Sequence, residues 1–271
     1  MQQEAPRLRF ATQRLASGPQ IRYGEQGDPG GEPVVLLPGY TDSWFSWSRV
    51  LPLLPARYHV YAVDQRGHGD SERPDCCYAV EDFAADVVAF LDAVAAERAT
   101  LVGHSASCLV ARNVAEAHPE RVARLVLLGA PQSLGDNEEE LELQTAVQAL
   151  GDPVPVQFAR ELQGAAAHVT LPEAFFEGLV AESLKLPARV WKATLEGLFA
   201  FDDKAELWRI AAPTLLIWGE WDRWLPREEE DHLGVIIPGA RVVVYPATGH
   251  SPNWERPERV VADLDTFMRE T

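Results

Sequence analysis

Six short, mostly apolar runs recur along this chain of 271 residues and restrict the folds open to it. Runs of this kind, without regular polar alternation, are typical of strands buried on both faces of a parallel sheet. They occupy residues 34–37, 58–63, 99–102, 125–128, 214–218 and 242–245. Segments with helical periodicity lie between or after them, at residues 43–53, 80–97, 105–117 and 257–270. This alternation predicts an α/β fold with a mostly parallel, doubly wound sheet.

One long interval interrupts the alternation. Residues 134–211 contain no strand-like run, and helical periodicity recurs there at residues 137–150, 156–167, 172–184 and 188–199. So much helix is too long for a single crossover between neighbouring strands. We therefore expect an inserted helical cap at 134–211 and a core formed by residues 1–133 and 212–271. A β-hairpin is also expected near the N-terminus, where residues 8–15 and 20–25 flank Ser17-Gly18-Pro19.

The composition argues against several kinds of partner and cofactor. A formal net charge of −17 disfavours nucleic acid and anionic membrane surfaces as partners. No stretch approaches the roughly 18 apolar residues of a membrane span, and the first 15 residues lack an apolar signal segment, so we expect a cytoplasmic protein. Cys76 and Cys77 are adjacent and Cys108 stands alone, a pattern that predicts neither a disulfide framework nor a zinc site. We expect no metal and no cofactor.

A serine follows the third buried run where a strand gives way to a helix. The sequence there reads Gly103-His104-Ser105-Ala106-Ser107, and a segment rich in small residues follows. A serine on such a sharp turn stands clear of the backbone at the carboxyl end of the sheet, and the strained turn requires small residues two positions before and after it. Ser105 is thus a candidate nucleophile, although a serine at such a turn also occurs by chance.

The partners that a serine nucleophile needs follow the last two strands. Glu220 and Asp222 come after the run 214–218, and His250 comes after 242–245. All three lie at the sheet edge expected for Ser105, in the order nucleophile, acid, base. His250 can remove the proton of Ser105, and a carboxylate can orient the imidazole.

Two backbone N–H groups are placed to stabilise an oxyanion. Ala106 follows the nucleophile and opens a helix, whose dipole favours negative charge. The loop after the run 34–37 reads Pro38-Gly39-Tyr40, and we assign the second donor to the amide of Tyr40. The Tyr40 phenol either reaches the pocket or packs over the contact with the cap.

With these residues in place, the chain resembles the α/β-hydrolase superfamily, and in particular its small cap-bearing esterase- and lactonase-like members. The motifs that carry the resemblance span nearly the whole length: 37–43, Asp64-Gln65-Arg66-Gly67-His68-Gly69-Asp70-Ser71, Gly103-His104-Ser105, 118–122, 218–222 and Gly249-His250. The resemblance implies Ser105 as nucleophile, Asp222 rather than Glu220 as acid, His250 as base, and a structural role for His68.

Three positions depart from the pattern of the family. Pro38 stands where the family usually has a histidine, and Ser107 and Cys108 replace two small residues, typically glycines, behind the nucleophile. None of these changes removes a catalytic group. We expect Ser107 and Cys108 to be neutral packing changes.

Aromatic residues suggest the class of substrate. Trp44 follows the oxyanion loop and Trp221 follows the acid strand, while Trp191 and Phe199 fall in the cap. These four are our candidates for substrate contact in an apolar cleft, although rings in the cap can equally fill a helix core. The sequence therefore predicts a serine hydrolase that cleaves a hydrophobic carboxylic ester or lactone through an acyl-enzyme.

Other functions use the same residues. The triad also supports hydrolysis of carbon–carbon or amide bonds and peracid formation. A ligand-binding receptor with slow hydrolysis is a further alternative. The sequence does not distinguish the substrate, and it does not indicate the oligomeric state.

Overall fold

An eight-stranded sheet forms the centre of the computed structural model, which describes residues 8–135 and 138–271. The strand order is β1-β2-β4-β3-β5-β6-β7-β8. Pairs β1–β2 and β2–β4 are antiparallel, and the other neighbours are parallel. The strands are β1 Arg9–Arg14, β2 Gln20–Gly27, β3 Glu32–Leu37, β4 Tyr58–Val63, β5 Ala99–His104, β6 Val122–Leu128, β7 Thr214–Gly219 and β8 Arg241–Tyr245. The predicted α/β class and the N-terminal hairpin are confirmed.

Helices cover both faces of the central part of the sheet, which explains why the central strands are mostly apolar. In β3, Val35 and Leu37 pack into one core layer, while Val34 and Leu36 pack into the other. Successive side chains of a strand point to opposite faces, so a strand buried on both sides favours apolar residues at successive positions. The helices outside the insertion are α1 Val80–Ala93, α2 Ala106–Ala117, α7 Arg227–Ile236, α8 Pro252–Glu255 and α9 Pro257–Glu270.

Two segments differ locally from their predicted helices. The segment 43–53 forms two short 3-10 helices, Trp44–Trp47 and Leu51–Leu53, because Pro52 lacks an N–H and obstructs a continuous α-helix. Helix α1 ends at Ala93, before the predicted residue 97, and Ala95 adopts a left-handed φ of 55°. Helix α7 has no counterpart among the predicted segments.

In the described part of the chain, four α-helices lie between β6 and β7, and we call them the inserted helices. They are α3 Glu138–Gln148, α4 Val156–Ala165, α5 Glu173–Ser183 and α6 Ala188–Ala200. They correspond to the four helical stretches predicted there, and the expected start at residue 137 lies outside the described residues. None of the helices in the described ranges combines the length and apolarity needed to cross a bilayer.

The cysteines correct one expectation. Cys76 and Cys77 are joined as a disulfide between neighbouring residues. Adjacency made this bond improbable, yet the pair lies in an exposed turn where Cys77 has a left-handed φ of 73°. Cys108 is free and buried.

Candidate active site

Ser105 occupies a sharp turn between β5 and α2. Its φ of 53° and ψ of −122° lie in a region that non-glycine residues rarely adopt, which is typical of a strained functional turn. A Cβ at Gly103 would lie 2.8 Å from the carbonyl oxygen of Ser107 and 3.0 Å from the Cα of Cys108. Glycine is therefore required at position 103 for the turn to close.

His250 connects Ser105 to a carboxylate. Its Nε2 lies 2.8 Å from the Ser105 Oγ, and its Nδ1 lies 2.7 Å from the Asp222 Oδ2. Because a carboxylate only accepts, Nδ1 carries the proton, and the lone pair of Nε2 accepts the hydroxyl of Ser105. The other carboxylate oxygen, Asp222 Oδ1, accepts the backbone N–H groups of Trp224 and Leu225. The acid is thus held at both of its oxygens.

The loops that carry the acid and the base approach each other closely. Asp222 follows β7 and His250 follows β8, and a Cβ at Gly219 would lie 2.0 Å from the carbonyl oxygen of Gly249. The rival carboxylate, Glu220, accepts the N–H of Ala247 at 3.1 Å on the surface. The structure therefore sets Asp222, and not Glu220, against the imidazole.

The assigned oxyanion donors, Tyr40 and Ala106, both line a cavity beside Ser105. Among the described residues, neither backbone N–H donates to a protein acceptor, so both are available to a ligand. The Tyr40 phenol donates to the carbonyl oxygen of Trp191 at 2.8 Å. That phenol therefore ties the loop after β3 to α6, as the packing alternative expected.

The residues that depart from the family pattern have specific contacts. Ser107 is fully buried, and its Oγ donates to the carbonyl oxygen of Leu37 at 2.8 Å and lies 3.1 Å from the His104 N–H. This hydroxyl joins the serine turn to the end of β3, which is more than the neutral packing change expected from the sequence. Cys108 Sγ approaches the Leu128 carbonyl oxygen at 3.5 Å, and the Pro38 carbonyl oxygen accepts the Gln65 amide at 3.3 Å.

A mainly aliphatic cavity lies over Ser105. The space open to the centres of water molecules is about 90 Å³. Loops after the strands form its floor, and the inserted helices form its roof. The apolar wall residues are Pro131, Leu134, Leu143, Leu162, Ala166, Leu195, Leu198, Phe199, Trp224, Leu225 and Trp254.

The four aromatic candidates for substrate contact lie in different places. Phe199 lines the cavity. Trp191 is fully buried behind the ring of Tyr40, 5.7 Å between centroids. Trp44 packs on Phe10, and Trp221 is 53 % exposed against His168. Trp191, Trp44 and Trp221 are not among the cavity-lining residues.

Sequence reasoning missed the leucines of the roof because their helical spacing is also that of an ordinary helix core. They come from α3, α4 and α6 and from the segment before α3, and Leu143 and Leu162 illustrate the pattern. The sequence alone does not tell which face of each inserted helix turns toward Ser105.

Glu255 is a second residue that sequence reasoning missed. Its Oε1 accepts the N–H of Gly249 at 2.8 Å, and its Oε2 accepts the N–H of Val169 at 3.1 Å. Burial raises the pKa of Glu255, while these backbone N–H groups oppose the shift. The carboxyl fixes the loop that carries His250 and joins it to the segment between α4 and α5.

The fold and this site agree with the similarity to known proteins. The family described as alpha/beta hydrolase fold matches residues 32–257. The chain belongs to the α/β-hydrolase family. Its solved structural relatives include a hydrolase from Pseudomonas aeruginosa, 26 % identical with a TM-score of 0.84, which covers 96 % of this chain and 98 % of the other. An esterase from Rhodococcus is 28 % identical with a TM-score of 0.83, and the match covers 98 % of this chain and 99 % of the esterase.

One curated relative matches over a shorter stretch. Epoxide hydrolase A of Mycobacterium tuberculosis is 41 % identical over 125 residues, which are 44 % of this chain and 39 % of that enzyme. The matched part is thus well under two thirds of the length of that relative. Within the described ranges, no group of three or more His, Cys, Asp or Glu side chains is arranged to hold a metal ion.

Proposed function

We propose that this hydrolase cleaves a hydrophobic carboxylic ester or lactone through an acyl-enzyme, with Ser105 as nucleophile, His250 as base and Asp222 as the orienting acid. The observation that carries the proposal is the unbroken hydrogen-bond chain from Asp222 through His250 to the Ser105 Oγ. A hydroxyl is a weak nucleophile until a base removes its proton, and this chain supplies the base in the required tautomer.

In the first half-reaction, the Ser105 Oγ attacks the carbonyl carbon and its proton passes to the Nε2 of His250. The tetrahedral intermediate then collapses, the bond to the alcohol oxygen breaks, and His250 returns the proton to the departing alkoxide. In the second half-reaction, water attacks the acyl-enzyme while His250 accepts its proton, and Ser105 is released. Asp222 remains ionised and stabilises the imidazolium.

The amides of Tyr40 and Ala106 receive the oxyanion in this scheme. Neither has a protein acceptor in the described ranges, and Ala106 stands at the N-terminus of α2, where the helix dipole favours negative charge. An oxyanion donor of this kind contributes about 3 kcal/mol to transition-state stabilisation. A carbonyl substrate uses both amides, whereas an epoxide offers no carbonyl oxygen to them.

The preference for a hydrophobic substrate rests on the roof of the cavity. We assign residues 134–211 as a cap over a core of residues 1–133 and 212–271. Leu143, Leu162 and Leu198 of that segment face the same cavity as Ser105. Apolar walls with few polar groups are typical of sites for hydrophobic ligands. The Rhodococcus relative is an esterase, which agrees with an ester as substrate.

The test compares the unmodified protein with Ser105→Ala on phenyl butanoate and on a matched lactone. We expect turnover to fall by about 10³-fold or more, because the nucleophile is lost. A fluorophosphonate probe should label Ser105, as read by peptide mass spectrometry. The matched control is Ser48→Ala, whose half-buried hydroxyl lies outside the cavity wall.

Three outcomes would contradict the proposal. Unchanged hydrolysis in Ser105→Ala would exclude this nucleophile. A single acylation of Ser105 without release of product would favour the receptor. Faster turnover of amides, carbon–carbon bonds or peracid-forming substrates than of esters would favour the other uses of the triad.

A further inference from the structure

A polar notch interrupts the apolar wall of the cavity at Asp42 and His104, both of which line it. The His104 Nδ1 lies 4.0 Å from the Asp42 Oδ2, too far for a direct hydrogen bond. Among the residues that the structure describes, the Nδ1 has no hydrogen-bond partner, although the His104 side chain is only 2 % exposed. Buried polar atoms are normally paired, so an unpaired one facing a carboxylate calls for an explanation.

The hydrogen bond of His104 makes its Nδ1 an acceptor. The Nε2 of His104 lies 3.2 Å from the carbonyl oxygen of His250. A carbonyl oxygen only accepts, so Nε2 carries the hydrogen. Burial lowers the pKa of His104 to about 3, which keeps the ring neutral and leaves a lone pair on Nδ1. The notch therefore presents a lone pair on Nδ1 opposite an oxygen of the carboxyl group.

Asp42 lacks a positive partner. Its Oδ1 accepts the amide of Gln163 at 3.0 Å, and in the described ranges it forms no ion pair with lysine or arginine. Burial raises its pKa to about 7. The hydrogen bond from Gln163, the nearby His250 and the hydrogen bond from the Gly39 backbone oppose this shift, and Glu182 adds to it. A buried carboxylate without a counter-ion is costly, so a cationic ligand would be favoured here.

Gly39 borders the gap between the two acceptors. A Cβ on Gly39 would lie 3.0 Å from the His104 Nδ1 and 3.1 Å from the Asp42 Oδ2, so a larger residue would crowd this gap. Gly39, Asp42 and His104 all line the cavity. The normal length of a charge-assisted hydrogen bond is about 2.8 Å. An atom at this distance from both acceptors can bridge the gap between them. Gly39 precedes Tyr40, so this space adjoins the oxyanion loop.

The approach to the cavity is acidic. An outer groove shares Leu143, Leu162 and Trp224 with the cavity wall. Its charged lining residues are Glu139, Glu142, Glu161 and Arg223, three acids against one base. Together with the net charge of −17, this rim attracts cations.

We infer that the notch of Asp42 and His104 binds an ammonium group on the acyl part of the substrate, so that the preferred substrates are esters of amino acids with a hydrophobic alcohol. The inference rests on the proposed ester hydrolysis. An ammonium group supplies N–H donors for both acceptors and the missing positive charge. A hydroxyl supplies one donor and no charge, and a methyl group supplies neither.

The test uses two sets of benzyl esters in which only one heavy atom changes. One set is 3-aminopropanoate, 3-hydroxypropanoate and butanoate, and the other is glycinate, glycolate and propanoate. Release of benzyl alcohol gives kcat/KM at pH 7.5. We expect the amino ester of at least one set to exceed its alkyl match by about 10-fold, as for one charge-assisted hydrogen bond.

Two variants locate the preference. In Asp42→Asn the amino-to-alkyl ratio should fall at least to about a third of its wild-type value, because the countercharge is lost. In Gly39→Ala the added methyl group fills the notch, and the amino-to-alkyl ratio should also fall below its wild-type value. The control Asp28→Asn makes the same change in the exposed loop before β3, at the opposite sheet edge, and should keep the ratio.

The wild-type ratio is decisive even if a variant does not fold. The inference is wrong if Ser105-dependent hydrolysis proceeds but the amino esters are no better than the alkyl esters in both sets. It is also wrong if the hydroxy esters are best, since that result needs no countercharge. Absence of Ser105-dependent hydrolysis for every ester would instead reject the proposed function, and this inference with it.

Discussion

The floor and the roof of the cavity differ in what their residues contribute. On the floor, Ser105, Asp222 and His250 come from loops after three strands and are linked by hydrogen bonds of 2.7 and 2.8 Å. On the roof, the inserted helices contribute mainly leucines, which are held by packing. From this comparison we expect the triad on the floor to determine which bond is attacked and the leucines of the roof to determine how large and how apolar a substrate can be. The two properties should respond separately to substitution.

The largest loss of activity should come from disrupting the hydrogen bonds between the catalytic candidates on the floor. In Asp222→Asn the side-chain amide no longer holds the imidazole in the required tautomer, and we expect kcat for ester hydrolysis to fall about 10⁴-fold. Steady-state kinetics with a phenyl ester measures this loss. The control is Glu220→Gln, which carries the same chemical change two residues away and should stay within about twofold of wild type. An inactive Glu220→Gln beside an active Asp222→Asn would reverse the assignment of the acid.

A substitution in the roof should change selectivity instead of chemistry. Leu198 is buried and lines the cavity, so Leu198→Ala should cost about 2–4 kcal/mol of unfolding free energy and shift the preference toward bulkier esters. Urea unfolding and a series of acyl chain lengths measure the two effects. Leu233→Ala on α7 removes an equally buried leucine away from the cavity, and it should lose stability without a shift in selectivity. Equal shifts in both variants would contradict the separate role of the roof.

Beneath the floor, Glu230 makes stability depend on pH. Burial, and then the nearby Asp222, raises the pKa of Glu230 from 4.5 to about 8, and neither of its carboxyl oxygens has a hydrogen-bond partner in the described ranges. The folded protein keeps a proton that the unfolded chain releases, so this group lowers stability as the pH rises from about 4.5 to 8.

Glu230→Gln removes this penalty. We expect the variant to exceed wild type by about 2 kcal/mol at pH 9 and to show little difference below pH 5, as measured by urea unfolding at both values. Glu228→Gln, an exposed neighbour on α7, should show no such dependence. A gain of the same size at pH 5 and pH 9 would mean that packing, and not ionisation, is responsible.

The smallest expected effect concerns the junction between the serine turn and the end of β3. Ser107→Ala removes the hydroxyl that donates to the Leu37 carbonyl oxygen, and we expect a loss of about 1 kcal/mol in unfolding free energy. Ser48→Ala, which removes a half-buried hydroxyl with no side-chain hydrogen bond in the described ranges, provides the comparison. If both variants are equally stable, Ser107 has only the neutral packing role that the sequence predicted.

The sequence predicted the floor far better than the roof, for physical reasons. The strands are recognisable in the sequence as apolar runs. Ser105 and His250 each follow one of these strands within five residues, so the topology alone brings both to one edge of the sheet. The roof depends on how each inserted helix is rotated about its axis, which periodicity does not encode once several faces are apolar. Trp191 illustrates this, because it faces the interior of the helices and not the cavity.

The notch of Asp42 and His104 could not be predicted from the sequence, for a different reason. Asp42 belongs to the oxyanion loop motif, and His104 belongs to the serine turn. The 4.0 Å between the His104 Nδ1 and the Asp42 Oδ2 depends on how these two segments pack against each other. Helix α7 was missed because its three consecutive glutamates resemble a solvated loop. The disulfide between Cys76 and Cys77 was missed because the usual Cα spacing of about 4.4–6.8 Å excludes neighbours.

The hydrogen bond from the Tyr40 phenol to the Trp191 carbonyl oxygen has a consequence for the catalytic cycle. The residue whose amide is assigned to the oxyanion is fastened by its own side chain to a helix of the roof. If α6 has to swing outward to admit a bulky ester or to release a product, that movement strains or breaks this hydrogen bond. Substrate entry and bond cleavage would then require different conformations, and the rate of exchange between them would limit turnover.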